Sequence, residues 1–281
     1  MTTRSTRISL AVCSALVIAF LWIPLVIIAL YAFNKSNIQG WPITSWTFHW
    51  FSVTWHNSEA RSAFWLSVRV ALATTGIALV LGTMAAAAVA RFRFFGRDTV
   101  SFLLVLPLAL PGIITGTALL RFYSFAQIQV SIWTIVIGHA TFCVVVVYNN
   151  VVARLRRTSS SLIEASQDLG ADGWQTFRFV LWPTLSTALV AGGLLAFALS
   201  FDEVIVTYFT AGAQETLPIF ILDNIERGQQ LPVVNVVAFF VIAVTAIPVM
   251  LAQRVMRDTG IIRSSAAPVT EAIEASEIPA A

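Results

Sequence analysis

Six long apolar runs alternate with short polar stretches along this chain, at roughly 8–33, 63–90, 100–122, 132–153, 184–209 and 233–255. A helix needs about 20 mostly apolar residues to cross the hydrocarbon core of a bilayer, and each run is long enough. The pattern predicts six membrane-spanning helices. The first run follows Arg4 and Arg7, as the core of a signal peptide would. Its apolar stretch is too long for that, however, and no small-x-small cleavage site precedes Asn34. It reads as an uncleaved span.

The loops orient the spans. If the N-terminus is cytoplasmic, that side holds Arg4, Arg7, Arg91, Arg93, Arg97, Arg154, Arg156, Arg157, Arg178, Arg254, Arg257 and Arg263. The opposite side holds Lys35 and Arg61, with Arg121 and Arg227 near its ends. This positive-inside bias predicts that both termini are cytoplasmic. The chain then divides into an N-terminus (1–7), a six-span domain (8–257) and a disordered cytoplasmic tail (258–281), where Glu271, Glu274 and Glu277 stand among small residues.

Composition agrees. The chain is 58% hydrophobic and 11% charged, against about a quarter charged in a soluble domain. Its net charge of +3 is explained by loop arginines that orient it in lipid, so no nucleic-acid partner is expected. Cys13 and Cys143 both fall in apolar runs and read as small packing residues. We find no phosphate-binding Gly-rich loop, no metal-ligand motif and no nucleophile–base arrangement. An energy source, if one is used, must therefore come from a partner, and no enzyme activity is expected.

Two polar stretches stand out. Residues 34–62 carry Trp41, Trp46, Trp50 and Trp55 with Phe48 and Phe51, which predicts an interfacial helix on the outer face. Between the fourth and fifth spans lie about thirty residues, long for a connector. There Ser159, Ser160 or Ser161 can cap a helix bearing Leu162, Ile163, Glu164, Ala165 and Leu169, Gly170 can end it, and Asp172 can cap the next. That second helix carries Trp174, Phe177 and Phe179 towards the fifth span. From its residues alone, this element fits either a groove on a soluble partner or a resting place on the bilayer.

Its spacing carries a resemblance. Glu164-Ala165-Ser166-Gln167-Asp168-Leu169-Gly170, nine residues, then Val180-Leu181-Trp182-Pro183 resembles the EAA loop of bacterial ABC importer permeases, E-A-A-x-x-x-G followed by I-x-L-P. Ser166 replaces an Ala and Trp182 a Leu. Pro107-Leu-Ala-Leu-Pro111-Gly112-Ile113-Ile-Thr-Gly116, Gly138-His139-Ala-Thr141-Phe142-Cys143 and Leu199-Ser200-Phe201-Asp202-Glu203-Val204 are similar to stretches of the spermidine/putrescine importer permeases, C-type subunit. Thr216-Leu217-Pro218 and Asn235 also fall in register. Gly112 departs from the Asp or Glu that close relatives often carry.

The resemblance implies a six-helix, all-α type I permease in a bacterial inner membrane, with Glu164, Ala165, Asp168, Gly170 and Pro183 in the loop that docks on the ATPase. It implies a second permease subunit, two copies of a cytoplasmic ATPase that bind ATP and Mg, an extracytoplasmic binding protein, and no cofactor on this chain. The cargo it implies is a polyamine, with another small solute as the alternative. A self-contained channel or ion-driven carrier would have no use for the EAA loop.

Charge inside a membrane is expensive, so Asp202 and Glu203 in the outer half of the fifth span are candidate path residues. Adjacent helix positions diverge by about 100 degrees, so one can face the path while the other pairs with a neighbour. Arg69 and Arg121 are the candidate structural partners. Phe201, Tyr208 and Phe209 could wall a cation path, although aromatic packing is the commoner role. His139 has no second His at ligand spacing and reads as a hydrogen-bonded packing residue. Pro107 and Pro111 predict kinks in the third span.

Overall fold

The computed structural model describes residues 4–92 and 94–258. Arg93 and the expected tail from 259 onward lie outside the described residues. The chain's described regular elements are all helices, joined by turns and loops, with an isolated antiparallel bridge between Asn34 and Trp46. The described residues form two compact units, one within 55–229 and the other made of 4–54 with 230–258.

The larger unit is built on three helices: α3 (Ser58–Arg91), α6 (Ile132–Arg157) and α9 (Trp182–Asp202). Lipid tails are as apolar as leucine, so close backbone approach, rather than expulsion of water, holds such helices together. Ala78, Gly82 and Ala86 supply it: they recur every fourth residue on α3 and are buried against α6. A Cβ on Gly82 would stand 2.8 Å from the Val144 carbonyl oxygen and 2.9 Å from the Val147 Cβ, so only glycine admits this crossing. Gly192 faces Val147 and Gly193 faces Leu79 less tightly, an added Cβ standing 3.4 Å from the nearest atom in each case. Tyr148, Val151 and Leu185 fill the core between them, and the buried Cys143 thiol donates to the Ala196 carbonyl.

Two expected spans are broken. The third consists of α4 (Arg97–Ala109) and α5 (Gly112–Phe125), bent by 103°. A residue before proline is pushed out of the α region, and Leu110 and Pro111 are both extended (ψ 137 and 134). What read as a kink is a near-right-angle break. Pro107, by contrast, stays inside α4. The fifth run ends α9 at Asp202, passes through an extended Glu203 and resumes as α10 (Ile205–Thr210), which packs on α5 and α6. At its other end, α9 grows without interruption from residue 173. The coupling-loop helices are α7 (Ser160–Asp168) and α8 (Gly173–Thr176), and α11 (Leu217–Glu226) completes this unit.

The second unit pairs α1 (Arg4–Ala32) with α12 (Leu231–Asp258). Its aromatic cluster joins Phe33, Phe48, Phe51, Phe239 and Phe240 at ring distances of 5.0–5.9 Å for the contacts of Phe33 and Phe51. The expected interfacial helix is only α2 (His49–His56). Trp50 is not a free anchor, because its indole N–H donates to the Asn34 carbonyl at 3.0 Å. Trp41, Trp46 and Trp55 are exposed. Cys13, expected to pack, is exposed on α1.

Four described helices are long and apolar enough to cross a membrane, and the bent α4–α5 pair would make a fifth span. The described apolar part of α12, Leu231–Val244, is shorter.

Candidate functional site

The loop between α6 and α9 folds by local rules. Ser159 caps α7, its hydroxyl accepting from the Ser161 N–H at 3.2 Å. Gly170 closes the helix at φ +81, a left-handed conformation in which a β-carbon is strained. Its N–H reaches the Gln167 carbonyl at 2.8 Å, and that of Ala171 reaches Ser166 at 3.0 Å. Asp172 then opens α8 with a reciprocal capping box: its carboxylate accepts from the Gln175 N–H, and the Gln175 side chain accepts from the Asp172 N–H.

Past α8 the chain widens into a π-turn over Phe177–Leu181, and the Trp182 N–H reaches back five residues to the Phe177 carbonyl. Pro183 follows at the start of α9. Proline has no N–H and crowds the preceding turn, and the widened turn accommodates it without stopping the helix.

This element presents Glu164, Ala165, Asp168 and Gly170 to solvent, and neither carboxylate forms an ion pair among the described residues. Leu169 is 89% exposed, and Trp174, Phe179 and Trp182 are also uncovered. Trp174 stacks on Phe177 at 5.6 Å, making one aromatic ridge with Trp182. Ser166, the departure from the EAA pattern, hydrogen-bonds Thr176 across the turn at 3.0 Å and so ties α7 to α8. Serine at that position carries no sequence signal for this bond, because its partner lies in the next helix.

At the other end of α9 the two adjacent acids separate. The Glu203 carboxylate accepts the Val206 N–H at 2.9 Å, one of the donors that the break leaves without a helical partner. Asp202 is exposed and, among the described residues, makes no hydrogen bond or ion pair. It also sits on the last turn of α9, where the helix dipole disfavours an anion. Neither Arg69 nor Arg121 pairs with either acid: the Arg69 Nε donates to the Trp65 carbonyl of its own helix. The expectation of an arginine partner is therefore corrected, since the backbone of α10 provides the partner for Glu203.

Phe201 stacks on Phe197 at 5.9 Å and meets Phe64 of α3 edge-on at 6.2 Å. It is a packing residue of this wall. Tyr208 is 65% exposed and contacts Phe209, whose ring lies over Gly116 of α5. Among the described residues, no hydrogen bond or ring contact joins Asp202 to Tyr208. An open groove of about 430 Å³ lies between α6 and α9, lined by Asn149, Asn150, Arg154, Arg157 and Thr187. Its basic lining suits an anion better than a cation, and it was not foreseen from sequence.

Comparison with known proteins places this geometry. Residues 78–258 match the family model described as the inner membrane component of binding-protein-dependent transport systems. The chain belongs to this family. It is 32% identical to the spermidine/putrescine transport system permease protein PotC of Haemophilus influenzae, over 86% of this chain and 93% of that one. It is 31% identical to the putrescine transport system permease protein PotI of Escherichia coli, over 84% of this chain and 86% of the relative. Among solved structures it is similar to a bacterial ABC transporter that imports the acidic polysaccharide alginate. The TM-score is 0.64 at 18% identity, covering 92% of this chain and 98% of that one. Family and fold thus agree: this is a multi-pass, all-α permease subunit of an ABC importer. It is a transport protein rather than an enzyme, and it works with permease, ATPase and binding-protein subunits.

Proposed function

We propose that this chain forms one of the two permease halves of an ATP-driven polyamine importer, taking spermidine or putrescine from an extracytoplasmic binding protein. The observation that carries the cargo reading is its identity, over most of both chains, to permeases named for spermidine and putrescine. The free carboxylate of Asp202 supports it, since a flexible polycation passes most readily along weak, repeated anionic contacts. Both termini are cytoplasmic, consistent with the arginine distribution.

In this reading, α7, with Glu164, Ala165 and Asp168, docks in a cleft of one of two cytoplasmic ATPase subunits, and Gly170 and Pro183 shape the element. ATP and Mg are bound by those partners, and this chain carries no cofactor. Closure of the ATPases moves the docked loop, and α9, continuous from 173 to 202, carries that movement to Asp202. Glu203 and Phe201 support the path without facing cargo, while Tyr208 stands free enough to line it.

The test is uptake into proteoliposomes holding the complete importer and its binding protein. ATP-dependent accumulation of labelled spermidine, competed by putrescine, is the expected result. Accumulation without ATP would select a channel or carrier instead. The alternative cargo is another small solute. A binding protein that retains no polyamine would select it.

A further inference from the structure

The break between α9 and α10 is held by a residue from a third helix. His139, in the first third of α6 and 1% exposed, places Nδ1 2.9 Å from the Ser200 hydroxyl and Nε2 2.8 Å from the Thr207 hydroxyl. Ser200 lies on the last turn of α9, and Thr207 lies on α10. One imidazole therefore grips both sides of the interruption.

The proton positions follow from donor counting. A threonine hydroxyl has one hydrogen, and that of Thr207 is given to the Glu203 carbonyl at 2.7 Å. Towards His139 it can only accept, so Nε2 carries the ring proton and Nδ1 accepts from Ser200. The result is a closed chain: Ser200 to Nδ1, Nε2 to Thr207, and Thr207 to the carbonyl at the break itself. Two neighbours reinforce it. Gly138 admits α10 closely, since a Cβ there would stand 3.0 Å from Val206 Cγ1. One turn away, the Thr134 hydroxyl is 2.8 Å from the Thr210 carbonyl.

We infer that His139 is a positioning residue for transport: it fixes the angle between α9 and α10 and so aims the Asp202 carboxylate. The groups around the break are used internally, with Glu203 on the Val206 N–H and Thr207 on the Glu203 carbonyl, which leaves Asp202 as the acid there without a partner among the described residues. The inference rests on Asp202 contacting cargo, as proposed above.

The test is a double-mutant cycle in the complete reconstituted importer, reading the concentration dependence of spermidine uptake. His139→Ala is expected to raise KM by about fivefold or more, the low end of couplings between linked sites. In an Asp202→Asn background the same substitution should add nothing, and His139→Gln, whose amide can both donate and accept, should restore uptake. Equal losses in both backgrounds, normal uptake by the assembled His139→Ala importer, or failure of the glutamine rescue would each overturn the inference.

A second readout separates the brace from the cargo reading. Spin labels at the exposed positions Val190 and Ile205 report the distance across the break, in a chain whose Cys13 is replaced by serine. Ser200→Ala cuts one bond of this chain and Thr207→Val cuts two, and each should broaden that distance even if His139→Ala fails to assemble. If Asp202→Asn transports normally but the distances broaden, the cargo role of Asp202 fails and the brace stands. Unchanged distances would overturn the brace itself.

Discussion

Before its first turn, α9 follows a π-turn with Phe179 and Trp182 exposed; after its last, it breaks against the buried His139. The loop leading into that first end is built from bonds between near neighbours: Ser159 with Ser161, Asp172 with Gln175, and Ser166 with Thr176. The second is closed by partners 61 and 68 residues distant in sequence. Between them α9 is clamped to α3 and α6 through glycines. The contrast teaches how the chain divides its work. A self-contained, uncovered module can engage a partner, a packed rod transmits, and a fixed bend presents one acid.

The rod is the first place to break this contrast, and the largest effect is expected there. Gly82→Leu would drive a side chain into the Val144 carbonyl and the Val147 Cβ. Overpacking of this kind costs about 1–3 kcal/mol and sometimes more. The expected outcome is loss of assembled importer, read by yield and thermal unfolding of the purified complex. A variant of native stability would remove the α3–α6 crossing from the account.

The module should fail differently. Gly170→Val forces a β-branched residue to φ +81, and Glu164→Arg reverses the charge of an exposed side chain. Both should leave the membrane-embedded helices folded, with an unchanged unfolding midpoint, while the ATPase dissociates and uptake collapses. Retention of the ATPase on co-purification, with normal uptake, would show that the exposed face is not where it docks. The smallest effect is expected for Ser166→Ala, which removes the bond to Thr176 and restores the residue usual in the EAA pattern. A hydrogen bond of this kind contributes about 0.5–1.5 kcal/mol, so uptake should change little. A severe loss would mean that the tie between α7 and α8 does more than hold shape.

How much of this was legible in sequence follows the same division. The caps at Ser159 and Asp172 and the turn at Gly170 were readable because each depends on residues a few positions away. The 103° bend was not: Pro111 signals an interruption, but its size depends on where α10 lets α5 pack. The i, i+4 run Ala78, Gly82, Ala86 was a visible signal for the α3–α6 crossing and was missed among so many apolar residues. The partner of Glu203 was sought among distant arginines, whereas the broken helix exposes an N–H three residues on. His139 reads from sequence as a hydrogen-bonded packing residue and makes two such bonds, but the identity of its partners requires the fold.

The claim that joins these regions is that movement of the docked loop opens a path past Asp202 for a polycation. It is tested most directly by Asp202→Asn in the complete importer, with ATP-dependent spermidine uptake and ATP hydrolysis measured on the same proteoliposomes. The account predicts an assembled complex whose ATPase subunits still hydrolyse ATP while spermidine uptake falls sharply. Uptake at the level of the unsubstituted importer would contradict it.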